Sequence, residues 1–232
     1  VVYSLGALIS YKSNDLFFIK NFFVGYIVIF LIELATVLTN EYYDLEGDRL
    51  NKNPGRFTGG SRMLVENRVS LKEVNLAFIF VILSFLLFSF YLLKLTYFSN
   101  NVLILLILGM IFGIYYTAPP LKLSYRGVGE IDVAFTHGFY IIICGYVFQK
   151  RIIDSPIIFI LSLPIFFSSL AIVSLGGIPD LESDRLVSKK TLVSLIGPKN
   201  TLFFSIFCIL ITGLIGTYLY HLFFSWKLNS LY

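Results

Sequence analysis

Runs of about twenty consecutive apolar residues recur along the chain, and they restrict its fold more than any other feature. Wound as an α-helix, a run of that length crosses the ~30 Å hydrocarbon layer of a bilayer. The runs do not alternate apolar with polar residues, which excludes the ~10-residue strands of a membrane β-barrel. A water-soluble core could not absorb them: 57% of the 232 residues are hydrophobic and 14% charged, against about 25% charged in soluble domains. The fold class is therefore all-α, a polytopic transmembrane helical bundle. A partial helix is expected over residues 1–11. Full helices are expected over 16–42, 71–95, 101–117, 131–149, 156–177 and 200–226.

Other features narrow the class. Cys144 and Cys208 lie inside apolar runs and indicate no disulfide framework. The net charge of +4 is no nucleic-acid footprint, because the basic residues fall between the apolar runs. The chain begins at Val1 without a signal-peptide pattern, so its first segment reads as the tail of a longer helix. No linker divides residues 1–232, which form one transmembrane domain, and no obligate protein partner is evident. By parity, the three longer loops (41–70, 118–130 and 178–199) share one face of the membrane. That face holds 12 of the 18 Lys and Arg if Lys72 is counted with the first loop. The excess of positive charge places it in the cytoplasm.

The chemistry sits on that face. The first loop opens TNEYYDLEGDR (39–49), four carboxylates at the end of a greasy helix. Helix C-termini favour cations, so the acids require something positive. Asn40, Asp44 and Asp48 recur every four residues and so share one face. An amide oxygen and two carboxylates are hard ligands suited to Mg²⁺, which fills its remaining positions with water and phosphate oxygens. The motif returns after another apolar run as Asp180-x3-Asp184 in GGIPDLESDR. One such cluster would be explained as a solvated helix end balanced by arginine. Two at the same membrane level suit two Mg²⁺ ions bridging one diphosphate. Arg56, Arg62, Lys122, Arg126, Lys189 and Lys190 supply further positive charge for phosphate. Glu33 lies seven residues before Asn40 on the same helix face, and an intramembrane carboxyl normally faces a cavity. Glu33 and Asp132 are the candidates for an acceptor pocket. Tyr115 and Tyr116, beside the Pro-Pro loop, could present ring faces to a cation. His137 and His221 stand alone in apolar runs and read as interhelical polar groups.

Three segments carry a family resemblance: NEYYDLEGD (40–48), YYTAPPLKLSYRGVGE (115–130) and PDLESDRLVSKKTLVSLIG (179–197). Together they resemble the UbiA-type intramembrane prenyltransferases. FTGGSRMLVENRVS (57–70) and YRGVGE look most like the branch that prenylates 1,4-dihydroxy-2-naphthoate in menaquinone synthesis. The resemblance implies about nine crossings around a central cavity, of which this chain would supply about seven, being shortened at both ends. It implies Mg²⁺-dependent transfer of a polyprenyl group from its diphosphate to an aromatic acceptor. Asn40, Asp44, Asp48, Asp180 and Asp184 would hold the Mg²⁺–diphosphate, and Tyr116 and Lys122 would match the family's Tyr/Lys element. Two positions depart from the family pattern: Glu41 stands where Asp follows the first Asn, and Gly176 where Asn precedes the second motif. Acceptors of other kinds, such as glyceryl phosphate lipids or haem, belong to the same family. A divalent-cation transporter is the rival from another class, and it would need carboxylates along a path through the midplane.

Overall fold

The computed structural model describes residues 1–52, 54–55 and 60–229, with side chains except at residue 14 and residues 223–229. Every expected apolar segment is a helix, with ends within about three residues of those expected. In order these are α1 (Val2–Asn14), α2 (Ile19–Tyr43), the short α3 (Leu45–Leu50), α4 (Leu71–Leu95) and α5 (Asn100–Tyr115). After a single 3-10 turn at Leu123–Tyr125 come α6 (Gly129–Phe135), a π-helical turn (Thr136–Tyr140) and α7 (Ile141–Lys150). The chain continues through α8 (Ile157–Gly176), the short α9 (Leu181–Leu186) and α10 (Leu192–Ile196), and α11 (Pro198–Asn229). Five spans are long and apolar enough to cross a membrane: α2, α4, Gly129–Lys150, α8 and 198–222. The chain is an integral membrane protein. Leu76, Phe80, Leu87, Ile172 and Leu214 are each exposed by about two-thirds or more, as expected where lipid is the solvent.

Inside a bilayer, apolar side chains gain little by leaving lipid for protein, so helices associate through close packing and buried polar groups. Both appear here. The larger core joins α1, α2, α4, α5 and α7 around Val28, Leu92, Val102, Tyr146 and Phe148, while a smaller one joins α6, α8 and α11 around Ala134, Ala171 and Cys208. Asn21 Nδ2 donates to the Phe148 carbonyl at 2.8 Å, and the Tyr140 hydroxyl to that of Leu105 at 2.8 Å. Gly6 and Gly145 let α1 and α7 touch backbone to backbone: a Cβ on Gly145 would meet the Tyr3 carbonyl, and one on Gly6 that of Ile142. Gly145→Val should therefore prise α1 from α7 and cost roughly 1–3 kcal/mol, seen as a lower unfolding midpoint in mixed micelles. An unchanged midpoint would mean that α1 is not held there.

The two acidic loops are not simple helix exits. α2 breaks at Asp44 (φ −93°, ψ 1°) and the chain restarts at once as α3, with Asp44 as its N-cap. Backbone hydrogen bonds from Asp44 to Asn40 and from Asp48 to Asp44, both 2.9 Å, run through the break and keep the four-residue spacing. α8 likewise ends at Gly176, and Asp180 is the N-cap of α9. The acids expected at helix C-termini thus also occupy the first turns of new helices, Glu46 and Asp48 in α3, Glu182 and Asp184 in α9. Negative charge is favoured there, which relieves part of the strain the sequence suggests.

Candidate functional site

α3 packs against α9, bringing the two acidic motifs together across about 130 residues of chain. They line a cavity of about 640 Å³ at one end of the bundle. Asn40, Asp44, Gly47, Asp48 and Asn51 come from the first motif, and Gly176, Asp180, Ser183 and Asp184 from the second. Tyr116, Tyr125 and Glu130 come from the middle loop, and Lys189 and Thr191 from the segment after α9.

The first Asp of each motif is held by a residue lying downstream of the other motif. Lys189 Nζ is 2.7 Å from Asp44 Oδ2, with both side chains largely buried, at 16% and 9% exposure. The Tyr125 hydroxyl donates to Asp44 Oδ1 at 2.8 Å. In the reverse direction, Asn51 Nδ2 donates to Asp180 Oδ1 at 2.7 Å. Lys189 also lies over the Tyr125 ring, 5.4 Å from its centroid. Thr191 Oγ1 donates to Asp184 Oδ2 at 3.3 Å. Buried Glu130 accepts the Leu192 amide at 2.7 Å and so fixes the start of α10.

Electrostatics follow from this crowding. Asp48 is pushed up to about 6 by burial, then by the charges of Asp44 and Glu41, against an opposing pull from Lys189 and with a further push from Asp180. Asp184 is likewise pushed up to about 6, by burial first and by Asp180 and Asp44, with Lys189 and Thr191 opposing. Burial alone would lower Lys189, but Asp44's charge and hydrogen bond outweigh it and the ammonium is held above its ordinary range. A carboxyl with a raised pKa keeps its proton until the pH passes that value, and a protonated carboxyl is no metal ligand. Affinity for a divalent cation should therefore be present above about pH 6 and lost below it, which a Mn²⁺ titration across that range measures. A flat pH profile would count against Asp48 and Asp184 as ligands.

The donor set fits a magnesium ion. Asn40 lines the cavity, and its Oδ1 is buried without a hydrogen-bond partner among the described residues. That is an acceptor in want of a cation, next to hard carboxylate oxygens. Among the described residues no three His, Cys, Asp or Glu side chains form a ready-made ligand group. Mg²⁺ takes only one or two protein carboxylates and completes its shell from water and phosphate.

Several expected residues lie elsewhere. Lys122 is outside the cavity lining and rests over the Tyr125 ring, 5.0 Å from its centroid. Arg126 is exposed and donates to the Pro120 carbonyl at 2.9 Å. Lys190 is exposed, and its backbone forms an isolated bridge with that of Arg126. Arg62 donates to the Asp48 carbonyl at 2.6 Å and braces the motif from outside the lining. Arg56 lies outside the described residues. Glu41 accepts the Ser61 amide at 2.9 Å, so its longer arm ties down the loop. Gly60 (φ +67°) adopts a left-handed conformation against the Asp48 carboxylate, where a Cβ would collide. Gly176 faces open space in the cavity.

A second cavity of about 230 Å³, mostly apolar, lies between α2, α5 and the α6–π segment. Glu33 and Asp132 both line it, together with Thr36, Phe112 and His137, and Tyr116 lines both cavities. The two intramembrane carboxyls thus share a chamber adjoining the acidic one.

Asn51 and Tyr125 were not expected from the sequence. A signal for Asn51 exists: DLEGDRL (44–50) and DLESDRL (180–186) agree at six of seven positions. Such an internal repeat directs attention to the residues just downstream of each copy, where Asn51 and Lys189 stand.

Comparisons with known proteins agree with this architecture. The model of the UbiA prenyltransferase family matches residues 1–232. The "UbiA prenyltransferase domain-containing protein 1" of Dictyostelium discoideum is 29% identical over 101 residues, 44% of this chain but only 30% of that protein. A UbiA homologue from Archaeoglobus fulgidus, solved bound to GPP and Mg²⁺, superposes with a TM-score of 0.70 at 17% identity, over 95% of this chain and 74% of that one. The apo structure of a UbiA homologue from Aeropyrum pernix K1 gives 0.71 at 17% identity, over 95% and 79%. At that identity the two structures bear on the fold.

Proposed function

The chain belongs to the UbiA prenyltransferase family, and from that premise we propose that it transfers a polyprenyl group from an allylic diphosphate to an aromatic acceptor, with Mg²⁺. The observation that carries this reading is the junction of two unlike cavities at Tyr116. The acidic one suits a metal-bound diphosphate head, and the apolar one suits the reacting end of a prenyl chain and a ring beside it. Transport of divalent cations is less well served, because the crowded carboxylates sit at one end of the bundle with Lys189 among them. By the positive charge of its loops, that end faces the cytoplasm. Menaquinone synthesis is the setting suggested by YRGVGE and residues 57–70.

When bound, Mg²⁺ supplies positive charge to the diphosphate oxygens as the carbon–oxygen bond breaks. Asn40, Asp44, Asp48, Asp180 and Asp184 are the residues that would hold it. Ionisation leaves the bonding pair on the departing oxygen and a positive charge spread over the allylic carbons. Lys189 is placed to neutralise the leaving group. The apolar walls exclude water, which would otherwise capture the cation. The ring then attacks the terminal allylic carbon through its π electrons and loses a proton to restore aromaticity. Asp132 is assigned that proton, because it lines the apolar chamber together with Tyr116, the residue common to both cavities. Glu33 provides the polar wall on the facing helix. A carboxylated acceptor at that position would lose carbon dioxide in place of the proton.

The test is a product assay on membranes containing the full-length protein, with labelled polyprenyl diphosphate, Mg²⁺ and a panel of acceptors. A prenylated aromatic product that disappears with EDTA supports the reading. Divalent-cation flux without product would replace it by transport. Asp132→Asn should lower kcat about 10²-fold with little change in diphosphate affinity. Unaltered turnover would remove Asp132 from the mechanism.

A further inference from the structure

The inference here rests on the metal–diphosphate reading above. For a metal ion to bind, Asp44 must give up one of its present partners. Both of its carboxylate oxygens are engaged: Oδ1 accepts from Tyr125 at 2.8 Å and Oδ2 pairs with Lys189 at 2.7 Å. A metal ion and the Lys189 ammonium cannot share Oδ2 without placing two positive charges side by side in a buried place. The two partners differ in mobility. Tyr125 is held by the chain on both sides, with Tyr125 N bonded to the Lys122 carbonyl at 2.9 Å and its own carbonyl accepting Lys190 N at 3.4 Å. The Lys189 ammonium rides on a flexible four-carbon stem.

The surroundings determine where the ammonium goes. Among the described residues, the cavity lining holds five carboxyl groups, Asp44, Asp48, Glu130, Asp180 and Asp184, and one ammonium, Lys189. A bare diphosphate would be repelled by that lining. We propose that Lys189 is a tethered counter-cation: metal binding displaces it from Asp44, and the released ammonium then binds the diphosphate. Metal and diphosphate thereby bind cooperatively, each favouring the arrangement the other needs. By the reciprocity of linkage, diphosphate tightens metal binding by the same factor. Lys189 thus engages the diphosphate before any bond is broken.

Two measurements test this on the purified full-length protein in detergent or nanodiscs. The first uses wild type alone. Lys189 is acylated with a water-soluble amine reagent and quantified by mass spectrometry. Its labelling should rise several-fold with Mn²⁺ and fall again when inorganic pyrophosphate is added. Labelling indifferent to Mn²⁺ overturns the exchange. The second compares Mn²⁺ affinity in wild type and Lys189→Met, read as protein-bound Mn²⁺ from the spin-resonance spectrum with and without pyrophosphate, against protein-free titrations that subtract the Mn²⁺–pyrophosphate complex formed in solution. Wild type should bind Mn²⁺ roughly tenfold more tightly with pyrophosphate present. The variant should bind Mn²⁺ more tightly than wild type when pyrophosphate is absent, and should lose most of the tenfold gain. Full retention of that gain in the variant means that Lys189 is a structural pair and nothing more. Failure of wild type to bind Mn²⁺ at all is a different result, which removes the metal reading itself.

Discussion

Alanine at Asp44 should lower kcat/KM for prenyl transfer by about 10³-fold, and alanine at Asp180 by a similar factor, with folding retained. The two sites fail for related reasons. Asp44 is the most buried carboxylate of the first motif, and Tyr125 and Lys189 aim it into the cavity. Asp180 is aimed by Asn51 from the other motif. Each substitution removes a proposed metal ligand and the anchor of a cross-motif contact at once. Asp44→Asn separates the two contributions: it keeps the hydrogen bond from Tyr125 but loses the charge, so activity should fall nearly as far. Product formation under single-turnover conditions, alongside the unfolding midpoint, measures this. Turnover within a factor of two of wild type for both alanine variants would remove the motifs from the chemistry.

The second large effect is on stability. Lys189→Met leaves Asp44 buried opposite no cation, and breaking one side of such a pair costs about 3–5 kcal/mol. The loss should be fully expressed in EDTA and largely reversed by millimolar Mg²⁺, because a metal ion can take the ammonium's place. Lys189→Arg keeps the charge and should lose far less. Unfolding in mixed micelles with and without Mg²⁺ gives both numbers. A Lys189→Met loss that Mg²⁺ does not relieve would mean that Asp44 is not reached by the ion.

The helices were legible in the sequence because their signal is local. Each apolar run needs only its own length to declare itself, and residues 71–95 were bounded to the residue. The acidic motifs were legible for the same reason, since a four-residue spacing is a property of one turn of chain. What was hidden depends on contacts over long separations. Tyr125 finds Asp44 across 81 residues, and Lys189 finds it across 145. Lys122 illustrates the limit. By sequence it is a basic residue in the right loop, but its backbone is left-handed (φ 46°) at the start of the turn that carries Tyr125. That turn presents the Tyr125 hydroxyl to Asp44 and leaves the Lys122 ammonium over the ring. The helix restarts at Asp44 and Asp180 were also invisible, because nothing in the local pattern distinguishes a helix that ends from one that ends and restarts.

The account stands or falls on two acidic motifs sharing metal around one diphosphate. The most direct measurement is a structure of the full-length protein with Mn²⁺ and a non-hydrolysable prenyl diphosphate, in which anomalous scattering locates the metal. The account predicts manganese peaks in the 640 Å³ cavity, touched by Asn40, Asp44 or Asp48 on one side and Asp180 or Asp184 on the other, with diphosphate between. Manganese confined to one motif with the diphosphate elsewhere would contradict it.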